Sequence, residues 1–166
     1  MGPEGAGGRS CGLGRSFGDA LAGAAQIWRG QRNMRIHLAV ALGAAWAGWV
    51  LGFSAMEWAV LALTVGAVMG LEALNTALET AVDLACGGRA EPLARRAKNA
   101  AAAGVLVAAL AAVAVGAALF GPRLGVAGER LLFRLASQPW AMALWAAGFA
   151  AAAAFALVRI GGDSKT

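Results

Sequence analysis

Charge is what this sequence has least of. Only 14% of its 166 residues are charged, whereas soluble domains usually carry about 25%, and that shortage of polar surface excludes an ordinary soluble domain. Cysteine is scarce too. Cys11 and Cys86 are too few and too far apart for a disulfide scaffold or a cysteine metal site, and both fall in segments expected inside the cell, as reduced thiols. β-Branched runs are few while Ala and Gly dominate, which favours packed helices over a barrel. No Gly-x-x-x-x-Gly-Lys-Ser/Thr run occurs, so a P-loop nucleotide site is excluded. Residues 1–14 are Gly-rich without an apolar core, so they read as a disordered tail with no signal peptide.

What the chain has in abundance is apolar surface: 60% of its residues are hydrophobic and the mean hydropathy is +0.65. We expect one polytopic, all-α integral membrane protein. The net charge of +5 does not indicate a nucleic-acid partner, because the cations flank apolar spans and form no continuous patch. They suit topology determinants and contacts to anionic headgroups or phosphates.

Four apolar stretches stand out: Ile36–Phe53, Trp58–Leu71 with a helical continuation to Leu84, Ala100–Phe120, and Trp140–Val158. A span needs about 20 residues. Before the first, Phe17, Leu21, Ala24, Ala25 and Trp28 recur at helical spacing over Arg15–Gly30, the pattern of an amphipathic helix on the membrane surface. The expected organisation is therefore a main membrane domain over 15–124, a connecting segment over 125–138 with an interfacial helix near 127–137, and a further transmembrane helix over 139–160. Arg9, Arg15, Arg29, Arg32 and Arg35 precede span one, and Arg89, Arg95, Arg96 and Lys98 lie between spans two and three, so both regions are expected in the cytoplasm. Arg123, Arg130 and Arg134 fall on the opposite side and conflict with that rule. The six tryptophans, most of them near span ends, read as an interfacial belt.

The chemistry concentrates in Glu72-Ala-Leu-Asn75-Thr76-Ala-Leu-Glu79-Thr80-Ala-Val-Asp83. On a helix Glu72, Glu79 and Asp83 fall within roughly 20° of one line, with Asn75 and Thr76 alongside. Three carboxylates on one stripe repel one another unless a divalent metal or a basic helix lies among them. Glu72 lies about 22 Å of helix beyond Glu57, at the inner edge of the hydrocarbon if Glu57 marks the outer one. Ionisable groups at such a depth are costly and mark function; the plainer reading has Glu72 capping the span and facing water. Pro92 suits a helix start. In an antiparallel hairpin Lys98 then rises about 9 Å above it, a height between Glu79 and Glu72. Arg95 and Arg96 read as snorkelling cations. For Lys98 that reading and phosphate binding both stand, as interfacial hydrogen bonding and phosphate or metal contact do for His37.

Glu72-x-x-Asn75-x-x-x-Glu79-x-x-x-Asp83 followed by Ala97-Lys98-Asn99 resembles the signature of the prokaryotic diacylglycerol kinase and undecaprenol kinase family. The resemblance runs from about Ser16 to Leu124, and Arg32-Asn33…His37 looks more like the undecaprenol kinase branch. It implies a surface helix with three spans, a homotrimer, and transfer of the γ-phosphoryl group of ATP, with Mg²⁺, to a membrane lipid alcohol (undecaprenol before diacylglycerol) at the cytoplasmic face of a bacterial inner membrane. It further implies Glu72 as general base, Glu79 as metal ligand with Gln31 at a second ligand position, Lys98, Asp83 and Asn99 as nucleotide or phosphate contacts, and Asn75 as a substrate-positioning group. Gln31 and Asn99 stand where the family commonly has Glu and Asp, and both lack the charge. The alternative is a non-catalytic nucleotide- or lipid-binding relative. A fourth span lies outside the family pattern.

Overall fold

The computed structural model describes residues 12–157 except 88 and 90, and of Arg29 and residues 153–157 the backbone alone. Of the tail expected over 1–14, residues 1–11, Cys11 among them, lie outside this range, as do Arg159 and Lys165 beyond the last helix. The chain runs as α1 (Leu13–Gly30), α2 (Arg32–Leu51), α3 (Ala55–Cys86), α4 (Pro92–Phe120), a short 3-10 turn (Gly121–Val126), α5 (Ala127–Ser137) and α6 (Pro139–Leu157). All-α architecture follows the sequence reading. The surface helix begins at Leu13, two residues before the expected Arg15, because Gly12 accepts from the backbone N–H groups of Arg15 and Ser16.

Among the described residues, α2, α3 and the helical run from Pro92 are long and apolar enough to cross a membrane. Helix α3, at 32 residues, is about 48 Å long, some 18 Å more than a hydrocarbon core of about 30 Å. The excess amounts to its last dozen residues, Asn75 to Cys86. Counted from Ala55 at one face of such a layer, the far face would fall near Leu74, with most of the polar stripe past it and Glu72 at its edge. The described side chains of α6 end at Ala152, and over that stretch it is a shorter apolar helix.

Local chemistry sets each boundary. Gln31 takes an extended conformation (φ −104°, ψ 121°) that ends α1 and starts α2 in one residue. Gly52 adopts a left-handed φ of 71°, and the Phe53 N–H closes onto the Gly48 carbonyl at 3.0 Å, a glycine-terminated C-cap. Gly48 is needed as well, because a Cβ there would stand 2.8 Å from the Phe53 ring. Ser54 and Glu57 then form a reciprocal capping box at the start of α3. Gly87, also left-handed, ends α3, and Pro92 opens α4.

Helices α3 and α4 form the antiparallel hairpin expected from the sequence, with α2 against α3. Close packing is densest at the end where α2 turns into α3. Leu51, Phe53 and Leu61 are buried there against Trp58, Leu119, Phe120 and Ala127, and the Phe53 and Phe120 rings sit 5.0 Å apart. This end also accounts for two of the three discordant arginines. Arg123 pairs with Glu57 at 2.6 Å, donates to the Leu119 carbonyl and lies over the Phe53 ring. Arg134 of α5 donates to the Trp49 carbonyl at 3.1 Å and lies over the Trp49 indole. Cations bound to a helix C-terminus and to a capping carboxylate are structural groups, and the topology bias concerns loop charge near span ends.

Candidate functional site

The polar stripe of α3 descends from a buried carboxylate to an exposed ion pair. Glu72 retains only 3% of its accessible surface, the one buried charged residue among those described. Asn75 and Glu79, one and two turns on, are half-buried, and Asp83 is exposed. Each step of three or four residues keeps the group on the same helix face. The stripe is thus a polar track that runs from a buried carboxylate to an exposed one.

Neighbouring groups on this track are coupled. The Asn75 amide N–H donates to Glu79 Oε1 at 3.0 Å, which fixes the carboxylate and orients the amide. The other end of that amide, Oδ1, is buried with no hydrogen-bond partner. Buried carbonyl oxygens rarely go unpaired, so an unsatisfied acceptor between Glu72 and Glu79 is an opening for a donor or a hard cation. Thr76 and Thr80 are not available for that purpose. Their hydroxyls donate to the Glu72 and Thr76 carbonyls at 3.0 and 2.9 Å, the usual back-bonding of helical threonines. The stripe is therefore narrower than its composition suggests: Glu72, Asn75, Glu79 and Asp83.

From α4 the Lys98 ammonium donates to Asp83 Oδ1 at 2.6 Å. The height counted from Pro92 had set Lys98 between Glu79 and Glu72, and the contact lies lower. A helical side chain leans toward the N-terminus of its own helix. On α4 that direction is back toward the hairpin turn, so the long lysine stem carries its ammonium down to Asp83. Around this pair Arg89, Glu91, Arg95, Arg96 and Asn99 line an open polar cavity of about 660 Å³ at the start of α4. Helix N-termini attract anions through their free N–H groups and dipole, and four cations lie in this wall. Arg89 and Glu91 join the site only in the structure; the basic run through the hairpin turn signals Arg89, and nothing in the spacing signals Glu91.

The candidates do not all meet. Lys98, Asp83 and Asn99 share the polar cavity, and Asn75 and Glu79 share a hydrogen bond, whereas Gln31 stands at the junction of α1 and α2 with its backbone N–H on the Ile27 carbonyl at 2.9 Å. Among the described residues no three His, Cys, Asp or Glu side chains converge as a metal cage. His37 enters the wall of an apolar groove between α2, α3 and α4. Cys86 is a half-buried free thiol closing α3.

Residues 18–120 match the family model described as prokaryotic diacylglycerol kinase. The chain is 48% identical over 109 residues to a diacylglycerol kinase of Synechocystis sp., covering 66% of this chain and 62% of that protein. It is 37% identical over 110 residues to an undecaprenol kinase of Bacillus subtilis, covering 66% of this chain and 89% of that one. No solved structure matches it significantly.

Proposed function

The chain belongs to the prokaryotic diacylglycerol kinase family, and on that footing we propose that it is an ATP- and Mg²⁺-dependent kinase of a membrane lipid alcohol, with undecaprenol favoured over diacylglycerol. The observation that carries the reading is the graded track from buried Glu72 to the exposed Asp83–Lys98 pair. A lipid hydroxyl approaches from the apolar layer and a nucleotide from water, and this track is where the two meet.

In this reading the alcohol oxygen attacks the γ-phosphorus, its bond to phosphorus forms as the bond from phosphorus to the β–γ bridging oxygen breaks, and ADP departs. Glu72 takes the hydroxyl proton at the depth where a membrane-anchored alcohol ends. Lys98 and Asn99 hold the nucleotide phosphates beside the start of α4, Lys98 offsets their charge as a mobile point cation, and Asp83 positions the nucleotide through its hold on Lys98. Asn75 fixes the Glu79 carboxylate and positions the acceptor. The oxygen donors suit Mg²⁺, which is commonly held by one or two carboxylates together with substrate phosphates. Glu79 would hold it, beside the amide of Asn75 whose Oδ1 is buried without a partner, and Gln31 would contribute a neutral oxygen. When bound, the ion would neutralise charge on the transferring phosphoryl group. Everything else is positioning and electrostatics. We place the track on the cytoplasmic side of a bacterial inner membrane, and the working unit as a homotrimer on the family pattern.

Purified protein with labelled ATP, Mg²⁺ and a panel of undecaprenol, diacylglycerol and ceramide tests this. Label should enter undecaprenol. Absence of transfer to every lipid, in conditions where Gln31→Glu restores it, would identify a degenerate member that binds without catalysing.

A further inference from the structure

Residues 121–138 follow the segment matched to the family, which ends at 120, and they sit where four helix ends come together. These are the close of α2 at Leu51, the start of α3 at Ala55, the close of α4 at Phe120 and the start of α6 at Pro139. Helix α5 stays against the turn between α2 and α3 along its length. Ala127 packs on the Leu51, Phe53 and Leu61 cluster, Arg130 and Arg134 reach Gly52, and Arg134 holds the Trp49 carbonyl. Apolar helices that cross a hydrocarbon layer end at its boundary with water, so α5 lies along that boundary.

The faces of α5 divide accordingly. At 100° per residue, the half-buried Ala127, Leu131 and Arg134 share the face turned to the protein. Leu132 and Leu135 emerge on one flank, 68% and 46% exposed. Arg130 and Ser137 emerge on the other, and both are exposed. A helix with one apolar and one cationic flank lies in the headgroup layer, its leucines among acyl chains and its cation at the phosphates. Trp140, exposed in the first turn of α6, has the side chain that belongs at the same level.

The charges at this end decide which lipid fits. Among the described residues the ion pairs are Lys98 with Asp83 and Arg123 with Glu57, so neither Arg130 nor Arg134 faces a carboxylate. A Cβ at Gly52 would lie 3.3 Å from an Arg130 Nη and 4.0 Å from an Arg134 Nη. The two guanidinium groups therefore converge over the turn, within about 7 Å of each other. The other charge on α5, Glu129, lies about 100° round the helix from Arg130. Like charges held this close repel unless an anion joins them, and guanidinium with phosphate is among the strong charge-assisted pairs. A zwitterionic headgroup brings its own cation to the same place, whereas an anionic one does not. We propose that α5 docks on the membrane surface as a contact selective for anionic phospholipid, with the headgroup phosphate at Arg130 beside Arg134, and Leu132 and Leu135 among the acyl chains.

Photolabelling of the full chain in phosphatidylcholine nanodiscs tests this. Two probes are used, phosphatidylglycerol and phosphatidylcholine, each with a diazirine near the headgroup on identical acyl chains. The phosphatidylglycerol probe should label residues 121–138 about fivefold more than the other, the factor for one cation at an anionic surface. Arg130→Gln should abolish that preference, and Leu132→Gln should lower labelling by both probes; both side chains are exposed, so thermal melts should stay near wild type. Equal labelling by the two probes in wild type overturns the proposal, as does a preference that survives in Arg130→Gln or full labelling in Leu132→Gln. Absence of label over 121–138 from either probe would remove α5 from the headgroup layer and overturn it too. Millimolar glycerol phosphate should leave the labelling unchanged; displacement of the lipid by it would identify a site for free anions instead. Labelling requires no turnover, so the outcome stands whether or not the chain transfers phosphate.

Discussion

Lys98 of α4 reaches back along the hairpin to set its ammonium 2.6 Å from the Asp83 carboxylate of α3. The pair is open to water, with the Asp83 side chain 64% exposed, and exposed pairs of this kind contribute roughly 0–1 kcal/mol to stability. Holding the helices together is thus a small part of what it does. Its place is the mouth of a cationic cavity at a helix N-terminus, where a phosphate would compete with Asp83 for the ammonium.

Lys98→Ala should therefore leave the melting temperature nearly unchanged while weakening nucleotide binding. A hydrogen bond to a charged group is worth about 1.5–3 kcal/mol, which is roughly ten- to a hundredfold in KM for ATP. Titrating ATP at saturating lipid checks this; a large loss of stability with KM unaltered would make the pair structural.

Glu72→Gln keeps the size of the side chain and removes its ability to accept a proton. Removing a general base lowers turnover by about 10²–10⁴-fold, so kcat should fall by that order while circular dichroism and the thermal melt stay close to wild type. Retained turnover in the folded variant would rule Glu72 out as the base.

How far the sequence reached depends on the range of each interaction. The helices and the carboxylate stripe rest on local periodicity and were legible from residue spacing alone. So was Pro92 as the opening of α4. The height of the Lys98 ammonium differs from the residue count because counting residues places a backbone and not the end of a long side chain. Ser54-x-x-Glu57 was a readable capping pattern, yet the partner that completes it, Arg123, lies 66 positions away, and no spacing rule joins them. The groove was invisible for the same reason: Ala41, Val68 and Gly116 become neighbours only when three helices pack. Burial divides the stripe as well, since four polar groups that look equivalent in sequence end as one buried carboxylate, two half-buried groups and one exposed acid.

Gln31→Glu would place a negative charge at the position where the family resemblance implies one. Charge count among oxygen ligands tunes affinity for hard cations, so the Mg²⁺ concentration giving half-maximal activity should fall, on the order of tenfold. Isothermal titration with Mn²⁺ or Mg²⁺ in the presence of a non-hydrolysable nucleotide gives a readout independent of turnover. An unchanged affinity would place Gln31, at the bend between α1 and α2, outside the metal's reach.

Arg134 tests whether the end of the molecule remote from the carboxylate stripe is structural. Its guanidinium donates to the Trp49 carbonyl at the C-terminus of α2 and to Gln138 Oε1, and lies 4.7 Å from the centre of the Trp49 indole ring. Removing it in Arg134→Ala strips a cation from a helix C-terminus and frees α5 from α2, for a loss of about 1–3 kcal/mol. The melt should move down and limited proteolysis between residues 121 and 137 should quicken. Arg134→Lys should recover only part of this, because an ammonium lacks the planar fork that donates to both oxygens and the flat face that stacks on indole. Glu72 lies about 22 Å along α3 from Glu57 at this end, so kcat and both KM values of the folded Arg134→Ala protein should match wild type. A fall in turnover without a matching loss of folded protein would show that α5 communicates with the site and is more than a fastening for the turn between α2 and α3.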